Sequence, residues 1–508
     1  MLDGLDEVPT HNLNRVIEHI EDFVDTYYKN TFVASCRIAA YRSSQSISFK
    51  RFTDVTLAEF DDEQIEQFIC RWFRSGRDQE AGTANQYWEL LQKDENKATK
   101  ELAQTPLLLT FLCLVYDREQ TLPTQRSTLY GKALNILLAE WAAQKRLDQD
   151  PIYEGFHPDL EKVLLAEIAY TSFEQDQLFF LKDDITQRIS EFLADTLDAP
   201  KYLDGAAVLK TIERQQGILV ERATDIYSFS HLTLQEYLTA FHIKKEQLDD
   251  LLIAQHLTDG HWREVFLLVA GLRGNKVIDL LAAIEEMSRI YLAKYPKLLN
   301  LVRWAEMSIT GSQGKYKPAA KRAVAIAGAM DGEMSINPAR ARQRVRAIHI
   351  AKSLDIDIDI DMINTIAVAK SRARRRSLDA IDNEITRKRA VSAYINISKA
   401  ITEVIDSDGS DVFVNPSFRK LPIQLKRLAE LIPSHVSSKD WRHWADEFEA
   451  LWLDTLGLEK AAITFTQTEA EALRNYLYTI DLLIRCKDAV VRIPKQAWTD
   501  LESRLLTV

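Results

Sequence analysis

The sequence predicts a mainly α-helical protein: a partial α/β domain at the N-terminus, then a helical bundle, a winged helix, an α-helical array and a C-terminal helical module. Three observations carry that prediction. Only 16 Gly and 13 Pro among 508 residues leave few positions that break helices. Apolar residues recur at helical spacing through most of the chain, as at Val16, Ile20, Phe23, Val24 and Tyr27. Strand-like runs are confined to the N-terminal segment and to one hairpin after Gly217.

The elements follow in order. LDGLDE, Leu2 to Glu7, reads as the end of a strand and a loop carrying Asp3, Asp6 and Glu7. With only Met1 and Leu2 before the first acid, the rest of that strand is expected upstream of this chain. RVIEHIEDFVDTYYKN is an amphipathic helix, Thr31 to Ala34 is a β-like run, and FTDVTLAEF is a second extended run. Asp61 or Asp62 then caps a helix bearing Ile65, Phe68, Ile69 and Trp72. This alternation is the back half of a βαβ domain, residues 1–84. From 85 to 150 the strands stop, and apolar helices form a bundle in which Pro106 sits in a first helical turn, where its missing N–H costs nothing.

Between 151 and 245, helices lead into GILVERATDIYSFSHLTLQEYLTAFHI. Ile218 to Glu221 and Ile226 to Phe229 flank a turn, and Thr233 with Glu236 fits a capping box for the next helix. Helices followed by a hairpin predict a winged helix. Residues 246–430 read as a helical array in which DIDIDID, Asp355 to Asp361, is helical or irregular. A polar break at SDGSDVFVNPSFRKLP, Ser407 to Pro422, ends that array, and 431–508 form the terminal helical module.

Composition excludes several classes. The net charge of −11 argues against an overall nucleic-acid binder, although KSRARRRS, with Arg372, Arg374, Arg375 and Arg376, is a local basic run. It lies close to DIDIDID and lacks interleaved aromatics, so a solvated helix face is the expected reading and nucleic acid an unlikely partner. Cys36, Cys70, Cys113 and Cys486 are far apart and form no CxxC pair, which suits a reduced cytoplasm. The longest apolar run, Thr105 to Tyr116, falls short of the roughly 20 residues a membrane span needs. The N-terminal residues are acidic where a signal peptide would be basic and apolar, so none is expected in them.

Asp3, Asp6 and Glu7 sit where an α/β sheet places its ligands, just past the carboxyl end of a strand. Paired acids there suit nucleotide hydrolysis, one holding hydrated Mg²⁺ and a neighbour orienting the attacking water. The plain alternative is a D-G turn with solvated acids. LDGLDEVP resembles the Walker B motif of the NACHT family of signal-transducing ATPases. FVASCRIAAYR resembles that family's sensor 1 segment, TPLLLTFLCLVY its proline-bearing helix, and FSHLTLQEYLTAFHI its winged-helix signature.

The resemblance implies Asp3 as a metal ligand, Asp6, Glu7 and Arg37 as catalytic residues, Pro106 beside the adenine and His231 on the β-phosphate. It implies ATP or ADP with Mg²⁺ as cofactors of the complete family protein. Each residue also has an ordinary reading: Arg37 in a surface salt bridge, Pro106 as a helix starter, His231 as a hydrogen-bonded structural histidine. HWREVFLLVAGLR is similar to the helical region after the family's winged helix, and the segment from Arg474 is similar to a helical module at the end of some bacterial NACHT proteins.

The sequence departs from the family in one respect. No GxxxxGK[ST] occurs: GSQGKY at Gly311 has the wrong spacing, and YGKAL at Gly131 lacks the pattern. Without that phosphate cradle the chain is expected to bind no ATP or ADP alone and to be a fragment or inactive as an ATPase. One strand of the N-terminal sheet is also expected to lack its neighbour. The first functional expectation is a NACHT-type regulatory nucleotide switch in signal transduction, in bacteria often antiphage defence, self-associating or meeting a protein partner through helical regions. The alternative is a nucleotide-free α-helical protein-interaction scaffold.

Overall fold

The computed structural model describes residues 2, 5, 8, 13–35, 52, 53, 55, 58–93, 96–148, 157–196, 205–213, 218–312, 316–330, 338–358, 360, 412, 413, 417–430, 438–490 and 492–508. These residues form two compact units, Met1–Val277 with Asp488–Arg492, and Ile278–Lys487 with Ile493–Val508.

The first unit begins with helix α1, Leu13–Thr26, which buries Ile17 and Ile20. Leu2 and Ala34 form one parallel bridge, with Leu2 N–H donating to Val33 O at 2.7 Å and Ser35 N–H to Leu2 O at 2.8 Å. The described residues of the FTDVTLAEF run join no strand; Phe60 N–H instead donates to Gln104 O at 2.9 Å. Helix α2, Asp62–Trp72, has Asp61 as its N-cap in a reciprocal box with Gln64, so two end amides find acceptors. Two short helices follow, α3 Gly76–Ala81 and α4 Thr83–Leu91, then α5 Lys97–Ala103. Pro106 opens α6, Pro106–Glu119, as expected, and this helix buries Leu109, Leu112, Cys113 and Val115 completely.

Helix α7, Arg126–Asp148, and helix α8, Pro158–Glu174, lead into the winged helix. Its sheet has three antiparallel strands, β1 Phe180–Leu181, β2 Leu219–Ala223 and β3 Ile226–Phe229, in the order β1-β3-β2. The hairpin is where the alternation placed it; β1, two residues long, adds a strand the sequence pattern did not predict. Between the strands lie α9, Lys182–Thr196, and α10, Gly205–Thr211. Helix α11, Leu232–Glu246, packs on α8, and the buried Gln235 Nε2 donates to Ser172 Oγ at 2.9 Å to tie the two.

The expected capping box at Thr233 and Glu236 is corrected. The chain stays extended through His231, which is the N-cap, so Thr233 already lies in the first turn and Glu236 is buried in the helix. After α12, Asp249–His256, helix α13, Arg263–Arg273, crosses α7 so closely that a Cβ at Gly271 would come within 2.5 Å of Ser127 Oγ. Only glycine fits that crossing.

All the regular secondary structure among the second unit's described residues is helical. It takes in nearly all of α14, Val277–Ala293, followed by α15, Pro296–Ile309, α16, Pro318–Ala329, and α17, Pro338–Leu354. The residues of α16 from Ala319 to Ala329 are all buried; its alanines let neighbours approach on every side. Of DIDIDID, the described residues follow the end of α17 in a turn, irregular as expected. The break expected to run to Pro422 is corrected, because α18, Ser417–Glu430, starts five residues before that proline and includes it. Phe418, Leu421 and Leu428 form its buried stripe, and that burial outweighs the missing proline N–H.

Helix α19, Ser438–Leu456, inserts Trp452, whose Nε1 donates to Gly328 O at 3.0 Å. After the short α20, Lys460–Ile463, helix α21, Gln467–Asp488, opens on a Thr466–Glu469 capping box and buries Leu473, Tyr476, Leu477, Ile480 and Leu483. Arg322 of α16 holds the end of α22, Lys495–Arg504, by donating from Nε to Leu505 O at 3.0 Å and from Nη2 to Ser503 O at 2.7 Å. Among the described residues no helix is long and apolar enough to cross a membrane.

Candidate functional site

The strongest candidate lies where hairpin meets helix in the winged-helix region. Strand β3 ends at Phe229, and Ser230 N–H donates to Ile218 O at 2.8 Å, which closes the sheet. His231 follows with φ −138° and ψ 132°, still extended, and its carbonyl accepts from Leu234 N at 3.0 Å. Its imidazole makes no bond to the amides of its own helix and is exposed. The side chain therefore borders the first turn of α11 without capping it.

Beside it is a hollow of about 110 Å³. Leu178 and Phe179 give it an apolar wall, while Arg222, Ser230, His231 and Gln235 give it a polar one. Arg222 is placed by a register shift: Glu221 pairs with Tyr227 and Ala223 with Ile226, leaving Arg222 as the extra residue of a bulge. Its Nε donates to Ser228 Oγ at 3.0 Å and its Nη2 to Ser230 O at 2.9 Å. The guanidinium thus braces Ser228 and Ser230, three and one residues before His231. Tyr227, pushed up to about 12 by burial and by its hydrogen bond to Glu213, stays neutral.

Imidazole, guanidinium and the Ser230 hydroxyl around a helix start form a donor set suited to an anion such as a phosphate group. These residues fit the phosphate end of a nucleotide. They do not form a cradle for a whole triphosphate, and the sequence contains no P-loop motif to supply one.

The other sequence candidates are not brought to this hollow. Pro106 is exposed in the first turn of α6 and is absent from the lining. Asp3, Asp6, Glu7 and Arg37 lie outside the described residues, as do Arg372, Arg374, Arg375 and Arg376 of the basic run. Among the described residues no group of three or more His, Cys, Asp or Glu is arranged to hold a metal ion. Arg222 went unnoticed in the sequence because only the bulge directs it towards Ser228 and Ser230; the adjacent charges Glu221 and Arg222, which break the alternation of the hairpin strand, were the available signal.

The architecture defines a helical protein built around a winged helix. Comparison with known families agrees: residues 126–243 match the winged helix-turn-helix domain C-terminal to NACHT, and residues 421–508 match NACHT C-terminal Helical domain 2. Both matched domains are ones described as C-terminal to, or at the C-terminus of, NACHT proteins, and each covers only part of the chain. No curated protein matches it.

Proposed function

We propose that this chain supplies the switch portion of a NACHT-type regulatory nucleotide switch, in which His231 senses the phosphate end of a bound ADP and so holds the winged helix closed. The observation that carries the reading is a family-typed winged helix with an exposed histidine at the head of α11, beside an anion-compatible hollow. ATP or ADP with Mg²⁺ would be the cofactors. Signal transduction in a cytoplasmic setting, with antiphage defence as the biological role, is the wider form of the proposal. The chemistry of hydrolysis would belong to the acidic loop at Asp3, Asp6 and Glu7 and to Arg37, the chemistry of sensing to His231.

The sequence contains no GxxxxGK[ST], so the chain by itself is expected to give no calorimetric signal with Mg-ATP or Mg-ADP. When the chain is fused in frame to a complete P-loop NACHT segment, His231→Ala should weaken ADP retention. A charge-assisted hydrogen bond lost from such a contact is worth roughly 1.5–3 kcal/mol, about 10- to 100-fold in affinity. Unchanged ADP dissociation in the fused His231→Ala protein would remove His231 from the role.

A second reading, a nucleotide-free helical scaffold that self-associates or binds a protein partner, is favoured by the same missing motif. Concentration-dependent self-association of the chain without nucleotide, unaltered by His231→Ala, would select it.

A further inference from the structure

Outside the His231 hollow, the first unit holds a second cluster that the proposed switch does not use. His256, the last residue of α12, points its Nε2 at both carboxylate oxygens of Glu174, at 3.1 Å each. Its ring stacks on the indole of Trp262, centroid to centroid 3.8 Å and inclined by 15°. Trp262 meets Phe173 edge-on at 4.8 Å. Glu174 and Phe173 are the last two residues of α8, so the cluster fastens the α12–α13 connection, residues 257–262, onto the end of that helix.

We propose that His256 is a proton-operated latch: protonated, it locks the 257–262 connection to the end of α8, and neutral, it releases that hold. Both of its contacts depend on charge in the same sense. An imidazolium makes a charge-assisted bond to the Glu174 carboxylate and is also a cation over an indole face. A neutral imidazole keeps only an ordinary hydrogen bond and ring stacking. Imidazole is the side chain whose charge changes nearest neutral pH. The His256 and Glu174 side chains are 15% and 24% exposed, so bulk water screens the pair only in part.

Other titratable groups face the pair. On α8, Tyr170 bonds to Glu174 and is pushed up to about 12 by burial and by that carboxylate, so it stays neutral. On α11, His242 stacks on Tyr170 at 4.6 Å, and burial pulls its pKa down. Asp259, in the connection itself, accepts the His261 backbone N–H at 2.9 Å. His261 stacks on Phe173 at 4.4 Å, and its Nε2 is 3.9 Å from Asp176, beyond hydrogen-bond reach. His261 is a second imidazole in the cluster and serves as the control.

Hydrogen exchange on the full chain at mildly acidic and mildly alkaline pH, corrected for intrinsic exchange, tests the latch. The 257–262 amides should be protected about fivefold better in acid, the difference between a charge-assisted and a neutral bond in a local opening equilibrium. Glu174→Gln keeps shape and hydrogen bonding while removing the charge, and it should abolish the pH effect, as should His256→Gln. His261→Gln should leave it intact. A pH effect that survives Glu174→Gln, or that disappears with His261→Gln, overturns the assignment. So does equal protection of the wild-type chain at both pH values.

Discussion

Replacing Arg322 by Met tests how the C-terminal helix is held. Arg322 is 5% exposed and donates two hydrogen bonds, at 3.0 and 2.7 Å, to the carbonyls of Leu505 and Ser503. Carbonyls at the end of a helix have no partners within the helix, so the guanidinium is their cap. Losing a bond to a charged donor costs about 1.5–3 kcal/mol, and two are lost here. Part of that is returned, because a buried guanidinium carries a desolvation penalty of several kcal/mol that Met does not. A net loss of about 2–4 kcal/mol follows. For a cooperative unit of this size it corresponds to a fall in Tm of roughly 5–15 °C.

Arg322→Lys should fall between wild type and Met, because a single ammonium lacks the planar fork that reaches both carbonyls. Since the chain has two units, calorimetry should be paired with hydrogen exchange over residues 495–508, which isolates the local effect. An Arg322→Met protein melting within about 1 °C of wild type, with unchanged protection at α22, would refute the capping argument.

Three further outcomes are expected. Tyr87 is fully buried and its hydroxyl has no hydrogen-bond partner among the described residues, so Tyr87→Phe should stabilise the first unit by about 1 kcal/mol in denaturant titration; a loss of stability would mean the hydroxyl is satisfied. The Asp481 carboxyl is pushed up by burial but pulled below its usual range on balance, by the hydrogen bond from His349 and the Arg485 guanidinium. Its stabilising contribution is therefore complete above the ordinary carboxylate range and lost as pH falls through the lowered value, so Asp481→Asn should flatten the acid limb of the urea midpoint against pH. Replacing Arg374, Arg375 and Arg376 by Glu should leave any nucleic-acid affinity weak and nearly unchanged, and a steep, salt-dependent loss measured by anisotropy would instead make the basic run a binding element.

What was legible in the sequence was whatever repeats. The hairpin could be placed because alternating residues flank a short turn, the cap at Asp61 or Asp62 because both stand just before an apolar-periodic run, and the start of α6 because proline suits a first turn. What escaped depends on register and on neighbours distant in the chain. Strand β1 has two residues, too few for any period, and exists only because Phe180 and Leu181 find Tyr227 and Ile226 already in a hairpin. Thr233 and Glu236 had the spacing of a cap, but β3 leaves the sheet extended through His231, so the helix begins at Leu232 and the cap position falls on a histidine. That displacement matters for the site. A true cap at Thr233 would have left His231 two residues out in the loop, its direction unfixed by the helix. As N-cap, with Arg222 bracing Ser228 and Ser230 just before it, His231 is held at the junction of sheet and helix. Tied to both sheet and helix, a histidine at that junction has the coupling that the phosphate sensor proposed above would require.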